Sequence, residues 1–135
     1  MNEYGYNLAN FIRDVRKEFN APNLPFVVGE LGMHGDLEGR EKERWYPRVS
    51  QFRNVQRQVT LMSEFANNTI YVPTWPYVVN NNVTFNGEYH YFGRADTYYQ
   101  IGKALARGAL QLLDQQAEEK LEELTPNSSL RGGND

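Results

Sequence analysis

Residues 25–31 read Pro-Phe-Val-Val-Gly-Glu-Leu, an apolar run entered through a proline and left at a carboxylate. A strand with one wet face alternates apolar and polar residues. An unbroken run suits a strand buried on both faces, as in a parallel sheet covered by helices on each side. A strand is therefore predicted from about Phe26 to Glu30. Before it, Leu8, Phe11, Ile12, Val15 and Phe19 recur at helical spacing with charged residues between them, which predicts a helix over 5–19. After it, Phe52, Val55, Val59, Met62 and Phe65 repeat every three or four positions, predicting a helix from Tyr46 or Ser50 to about Phe65. Thr69-Ile-Tyr-Val72 reads as a second strand. Helix, strand, helix, strand, helix is the order of an α/β domain.

The last helix is expected close to Thr97. Thr97 and Gln100 have capping-box spacing, Asp96 adds negative charge at the helix start, and Tyr98, Ile101, Leu105, Leu112 and Leu113 supply an apolar stripe. Its continuation over 114–124 is polar on most faces and reads as a helical extension of the 1–113 domain. Residues 125–135 read as a disordered tail. Leu130-Arg-Gly-Gly133 matches the end of ubiquitin, but without that protein's β-rich body the match has no structural context. Between Val72 and the last helix lies a connection of more than about 20 residues, and irregular segments that long in compact domains are usually functional or disordered.

Composition bounds the chemistry. The 135 residues suit one domain, and a net charge of −3 with interspersed signs offers no basic stripe for nucleic acid. No apolar run reaches the roughly 18–20 residues of a membrane span. The first residues lack the basic-then-apolar order of a signal peptide, so nothing there directs export if Met1 is the true start. The absence of cysteine excludes disulfides, thiolate zinc sites and a cysteine nucleophile. Three Asn-x-Ser/Thr triplets, at Asn67, Asn82 and Asn127, are read as chance in an Asn-rich chain.

In an open α/β fold, the strand-to-helix loops emerge at the carboxyl edge of the sheet, where ligands bind. Glu30, the loop carrying His34, Trp75, Tyr77 and His90 should therefore share one edge. His90 precedes the last helix and is either a general base or an ordinary loop histidine between Tyr89 and Tyr91. Glu30 is either functional or a local partner to the end of its strand, and Trp75 and Tyr77 are either packing residues or sugar platforms. The glycine- and charge-rich stretch after Gly32 reads as a solvated loop. No serine occupies a GxSxG or glycine-rich turn, since Ser50 opens a helix, Ser63 lies inside one, and Ser128 and Ser129 are in the tail. His34 and Asp36 lack further ligands at metal-binding spacing, so neither a metal site nor a cofactor is expected.

Three blocks carry a family likeness. NLANFIRDVRKEFNAPNLPFVVGELG, FRNVQRQV and EYHYFGRADTYYQIGKALARGALQLL resemble the C-terminal half of SGNH-type hydrolases, specifically the carbohydrate esterases related to sialate O-acetylesterase, over about Tyr6 to Leu113. The resemblance implies a partial three-layer α/β/α, flavodoxin-like fold with parallel strands, from which the N-terminal part of the sheet is missing. It also implies that His90 is the base that activates a serine toward an acetyl ester. The family's aspartate, three residues before the histidine, is replaced by Gly87. Orientation of the imidazole would then fall to Glu88, to a backbone carbonyl or to a residue outside the chain.

By the same resemblance, Glu30, Trp75 and Tyr77 are candidate substrate contacts, and the substrate is an acetylated carbohydrate. The serine and oxyanion-hole blocks would precede everything present here, so the chain alone should be inactive. A noncatalytic carbohydrate-binding or assembly module is the alternative. A sheet cut through its middle is expected to leave an open edge and one bare face, to be covered by the missing half-domain or by self-association. The compartment is not set by the sequence, though the family likeness leans extracytoplasmic.

Overall fold

The computed structural model describes residues 3–79 and 87–124. Its regular elements are α1 (Glu3–Glu18), β1 (Phe26–Gly29), α2 (Tyr46–Thr60), β2 (Thr69–Val72) and α3 (Ala95–Leu124), with two short 3₁₀ turns at Trp75–Tyr77 and Glu88–Gly93. β1 and β2 pair in parallel, with Phe26 opposite Thr69 and Gly29 opposite Val72. The α/β order read from the sequence and its parallel strands are thus what the chain adopts.

Strand alternation decides which helix covers which face. Gly29 approaches Leu105, and Gly108 approaches Val72, Ile70 and Val27, so this face lies under α3. A Cβ at Gly108 would stand 2.9 Å from Val72 Cγ2, which explains why the middle of α3 carries a glycine despite its helix-weakening effect. The opposite face presents Phe26, Val28, Thr69 and Tyr71 to the side of α1 and α2. There Ala9, Ile12, Val59 and Phe65 form a core extended by Leu8, Phe26 and Met62. Both faces of the two-stranded sheet are therefore covered, and the expected bare face is absent.

Each helix turns a slightly different stripe inward from the one its large residues suggest. In α1 the buried positions are Gly5, Ala9, Ile12 and Arg16, while Phe11 and, just past the helix end, Phe19 are exposed. Small residues on the buried stripe let α1 lie close to α2, and that rotation carries Phe11 outward, where it meets Phe26 edge-on. In α3 the buried stripe is Thr97, Ala104, Gly108 and Leu112, which leaves Tyr98 and Leu113 about half exposed. The helix begins two residues before Thr97. The Thr97 hydroxyl donates to the carbonyl of Tyr77 at 3.1 Å, anchoring the helix to the preceding loop instead of closing a capping box.

Arg16 breaks the binary pattern most clearly. It is buried on the helix face toward the sheet, where its guanidinium donates to Leu24 O, Asn68 O and Thr69 Oγ1 at 2.8–3.1 Å and so ties together the entries of both strands. Burial holds its pKa below the usual arginine range. Outside, Arg13 grips Glu64 through two nitrogens, an exposed pair worth at most about 1 kcal/mol.

The sheet edge beyond β1 is partly closed by a side chain. In the parallel ladder, Phe26 and Glu30 donate toward β2, which points the amide of Leu31 and the carbonyl of Gly29 the other way. Gln56 of α2 meets both: Leu31 N donates to its Oε1 at 2.9 Å, and its Nε2 donates to Gly29 O at 3.1 Å. Its primary amide occupies the place of one residue of a neighbouring strand. Pro25, just below, has no amide to offer.

Candidate functional site

β1 and β2 end side by side, and the residues that directly follow each strand meet at that edge. Glu30, first beyond β1, is 6% exposed. Tyr71 on β2 donates its hydroxyl to Glu30 Oε2 at 2.5 Å. Arg53 of α2 stands 3.1 Å from Oε1, but the same N–H donates to Leu31 O at 2.8 Å, so this contact is an ion pair without a hydrogen bond. Among the described residues, Oε1 accepts no hydrogen bond at all. Burial raises the carboxyl pKa, opposed by the Tyr71 hydroxyl, the Arg53 charge and the backbone amide of Trp75. Tyr71 is pushed up in turn, first by its own burial and then by the carboxylate it faces.

The loop after β1 is solvated over its charged part, where Asp36, Glu38, Gly39 and residues 41–44 are exposed, but its first residues are not: Gly32, His34 and Gly35 are buried. Arg53 reaches across it, donating to the carbonyls of Met33 and Gly35 at 2.8 and 2.9 Å, and Arg40 donates to His34 O at 2.9 Å. Gly32 presses against the other loop, where a Cβ would lie 2.3 Å from Thr74 Oγ1. That approach lets the Thr74 hydroxyl donate to Glu30 O at 2.7 Å. His34 is consequently buried, with its ring stacked on Trp45 at 3.8 Å. Arginines that pin carbonyls cannot be told from surface arginines in a sequence. Arg53 and Gln56, three positions apart, share one face of α2, which is why both reach the same strand end.

After β2, Trp75 and Tyr77 lie in a 3₁₀ turn and are half-buried. The second 3₁₀ segment brings in His90. It is kinked, with His90 at φ −115° and the next two residues, Tyr91 and Phe92, both left-handed at φ 49° and 56°. Phe92 is buried, while His90 is exposed and receives the Tyr98 hydroxyl on its carbonyl at 3.3 Å. Among the described residues no side chain hydrogen-bonds its imidazole. The side chain of Glu88, like Asn82 and Asn127, lies outside the described residues. The two loops do meet, because the rings of His34 and Tyr89 stand 6.0 Å apart, edge to face.

The edge thus holds a buried carboxylate paired with Arg53 and bonded by Tyr71, two half-buried aromatic residues and an exposed imidazole on a kinked turn. Among the described residues no cluster of side chains is suited to a metal, and no helix is long and apolar enough to cross a membrane. Neither curated proteins nor solved structures gave a match to this sequence. A family model does match, described as carbohydrate esterase, sialic acid-specific acetylesterase, over residues 1–111. These residues span all of the sheet, both sheet-end loops and most of α3, and the chain belongs to that family of carbohydrate esterases.

Proposed function

We propose that this chain forms the carboxyl-terminal part of a carbohydrate O-acetylesterase of the SGNH type, working on an acetylated sugar without a cofactor. His90 is its general base, and the nucleophilic serine comes from a part of the sheet that the 135 residues do not contain. The observation that carries this reading is the convergence of Glu30, Thr74–Tyr77 and the His90 turn on the carboxyl edge. The outer edge of β1 supports it too. Gln56 extends the ladder at Gly29 and Leu31, while the peptide groups of Val27 remain in strand geometry beside it.

In this reading the imidazole of His90 takes the serine proton as the oxygen attacks the acetyl carbon, then returns that proton to the departing sugar oxygen. Water repeats the sequence on the acetyl-serine and releases acetate. The exposed ring suits a base that must reach a group on another segment. Glu30 is the candidate substrate contact: its carboxylate is held by Tyr71 at Oε2 and stands beside Arg53 at Oε1, so a sugar hydroxyl reaches Oε1 only once the loops over that buried edge give way. Trp75 and Tyr77 line the approach. Glu88, two residues before the base, orients the imidazole in place of the absent aspartate.

The test is reconstitution. Alone, the chain should hydrolyse aryl acetates no faster than its His90→Ala variant. With the serine-bearing half of a family member supplied in trans or by fusion, esterase activity should appear, and His90→Ala should remove most of it, on the order of 10⁴-fold. Glu88→Gln should cut the rate with the fold intact. Full activity in the His90→Ala hybrid would end the catalytic reading. Sugar binding by the isolated chain, with no hydrolysis in any hybrid, would instead establish the noncatalytic carbohydrate module.

A further inference from the structure

Among the described residues, four other than glycine have positive φ, and three of them lie on either side of one contact: His34 at 70° in the loop after β1, and Tyr91 and Phe92, at 49° and 56°, in the turn after Tyr89. Side chains with a Cβ adopt this backbone only where their surroundings hold them, and such strain gathers at functional sites. Among the described residues, the hydrogen bonds of the turn bearing His90 are local ones. Its backbone closes through Phe92 N to Gly87 O at 2.9 Å and Arg94 N to Tyr91 O at 3.2 Å, and Tyr98 supplies one hydroxyl and an edge-to-face contact with Tyr91. Across the gap, His34 is held far more firmly. Its ring lies parallel to Trp45, 6° between planes, Arg40 covers Trp45 at 4.6 Å, and Arg53 and Arg40 fix the carbonyls of its loop.

We infer that His34 is a positioning residue. Stacked on Trp45, its ring is the fixed wall against which Tyr89 sets the His90 turn. The inference rests on the reading of His90 as the base, because only then does the placement of that turn matter to a reaction. His34 touches no reacting group. It acts through Tyr89, one residue from the imidazole, whose ring it meets edge to face.

Amide hydrogen exchange on the chain as it stands tests this. The amides of Phe92 and Arg94 report the turn, and those of Phe26 and Glu30, bonded to Asn68 O and Val72 O, report the sheet. Loss of one aromatic contact should speed exchange at Phe92 and Arg94 by about three- to tenfold in both His34→Ala and Tyr89→Ala, leaving Phe26 and Glu30 unchanged. His34→Phe, which keeps a flat ring on Trp45, should restore wild-type exchange. Tyr89 is 71% exposed, so its variant will fold even if His34→Ala does not. Unchanged exchange at Phe92 and Arg94 in Tyr89→Ala, or a His34→Phe as labile as His34→Ala, overturns the inference. In the reconstituted enzyme His34→Ala should lower kcat with little change in KM. A hybrid whose activity ignores His90 refutes the esterase reading but leaves the exchange result standing, so the two failures are separable.

Discussion

Replacing Arg53 should do more damage than any other single polar change at the sheet edge. Its guanidinium holds the carbonyls of Leu31, Met33 and Gly35 and is the cation beside the buried Glu30. In Arg53→Met, the carbonyls of Met33 and Gly35 recover part of their loss by opening to water, since they belong to a loop. Leu31 O and the Glu30 carboxylate cannot. Stranding one partner of a buried ion pair costs about 3–5 kcal/mol, a large share of the 5–15 kcal/mol that holds a small domain folded. Arg53→Lys keeps the charge but not the three-carbonyl reach, so its loss should be roughly half as large.

The sign of the pH dependence follows from Glu30. Its pKa in the folded protein lies above the ordinary carboxylate value, mainly through burial. Its contribution to stability is therefore fully present below that ordinary value and is lost as pH rises through the raised one. Removing Arg53 takes away an influence that lowers the pKa and pushes the loss to higher pH. Urea unfolding followed by circular dichroism should therefore show Arg53→Met costing more near pH 7.5 than near pH 5. Glu30→Gln added to Arg53→Met should recover about 1–3 kcal/mol at the higher pH, because the stranded group is then neutral. A loss under about 1 kcal/mol, equal losses at both pH values, or no recovery in the double variant would refute the reasoning.

Gln56→Leu should cost about 2–4 kcal/mol in the same unfolding assay by leaving Gly29 O and Leu31 N without partners, and the Leu31 amide should become freely exchanging. Gly32→Ala puts a Cβ 2.3 Å from Thr74 Oγ1 and 3.0 Å from the Thr74 carbonyl carbon, so about 2–4 kcal/mol should be lost. Pairing it with Thr74→Ala should return part of that loss. Gly108→Ala gains roughly 1 kcal/mol of helix propensity but overpacks Val72 by about 1–3 kcal/mol, and a melt should show it neutral to mildly destabilised.

The elements were legible in the sequence because their signals are local. A four-residue apolar run in a parallel sheet, bounded by Pro25 on one side and Glu30 on the other, permits little else, and β2 lies on the residues read for it, Thr69–Val72. The facing of each helix was less legible. Periodicity weights large side chains, whereas α1 and α3 approach their neighbours through Gly5, Ala9, Ala104 and Gly108. Where a small residue sets the distance between elements, the large ones beside it are turned toward solvent, as Phe11 and Leu113 are.

The candidate site divides along the same line. Its gathering at one edge follows from topology alone, since parallel strands must release both of their loops at the same end. What holds each loop is a matter of long side chains meeting backbone groups far away in sequence: Arg53 on three carbonyls, Gln56 on a strand end, Arg16 on two strand entries. No spacing rule encodes these contacts, because an arginine or glutamine on an exposed helix face has the same local sequence as one that folds inward. His34 shows the consequence. Its neighbours are glycines and charges, the composition of a solvated loop, and it is Arg53, 19 positions on in the chain, that draws the loop shut and buries the ring. Substituting Arg53 should therefore loosen the His34 ring and, through Tyr89, the His90 turn, so that the stability of the sheet edge and the placement of the proposed base change together.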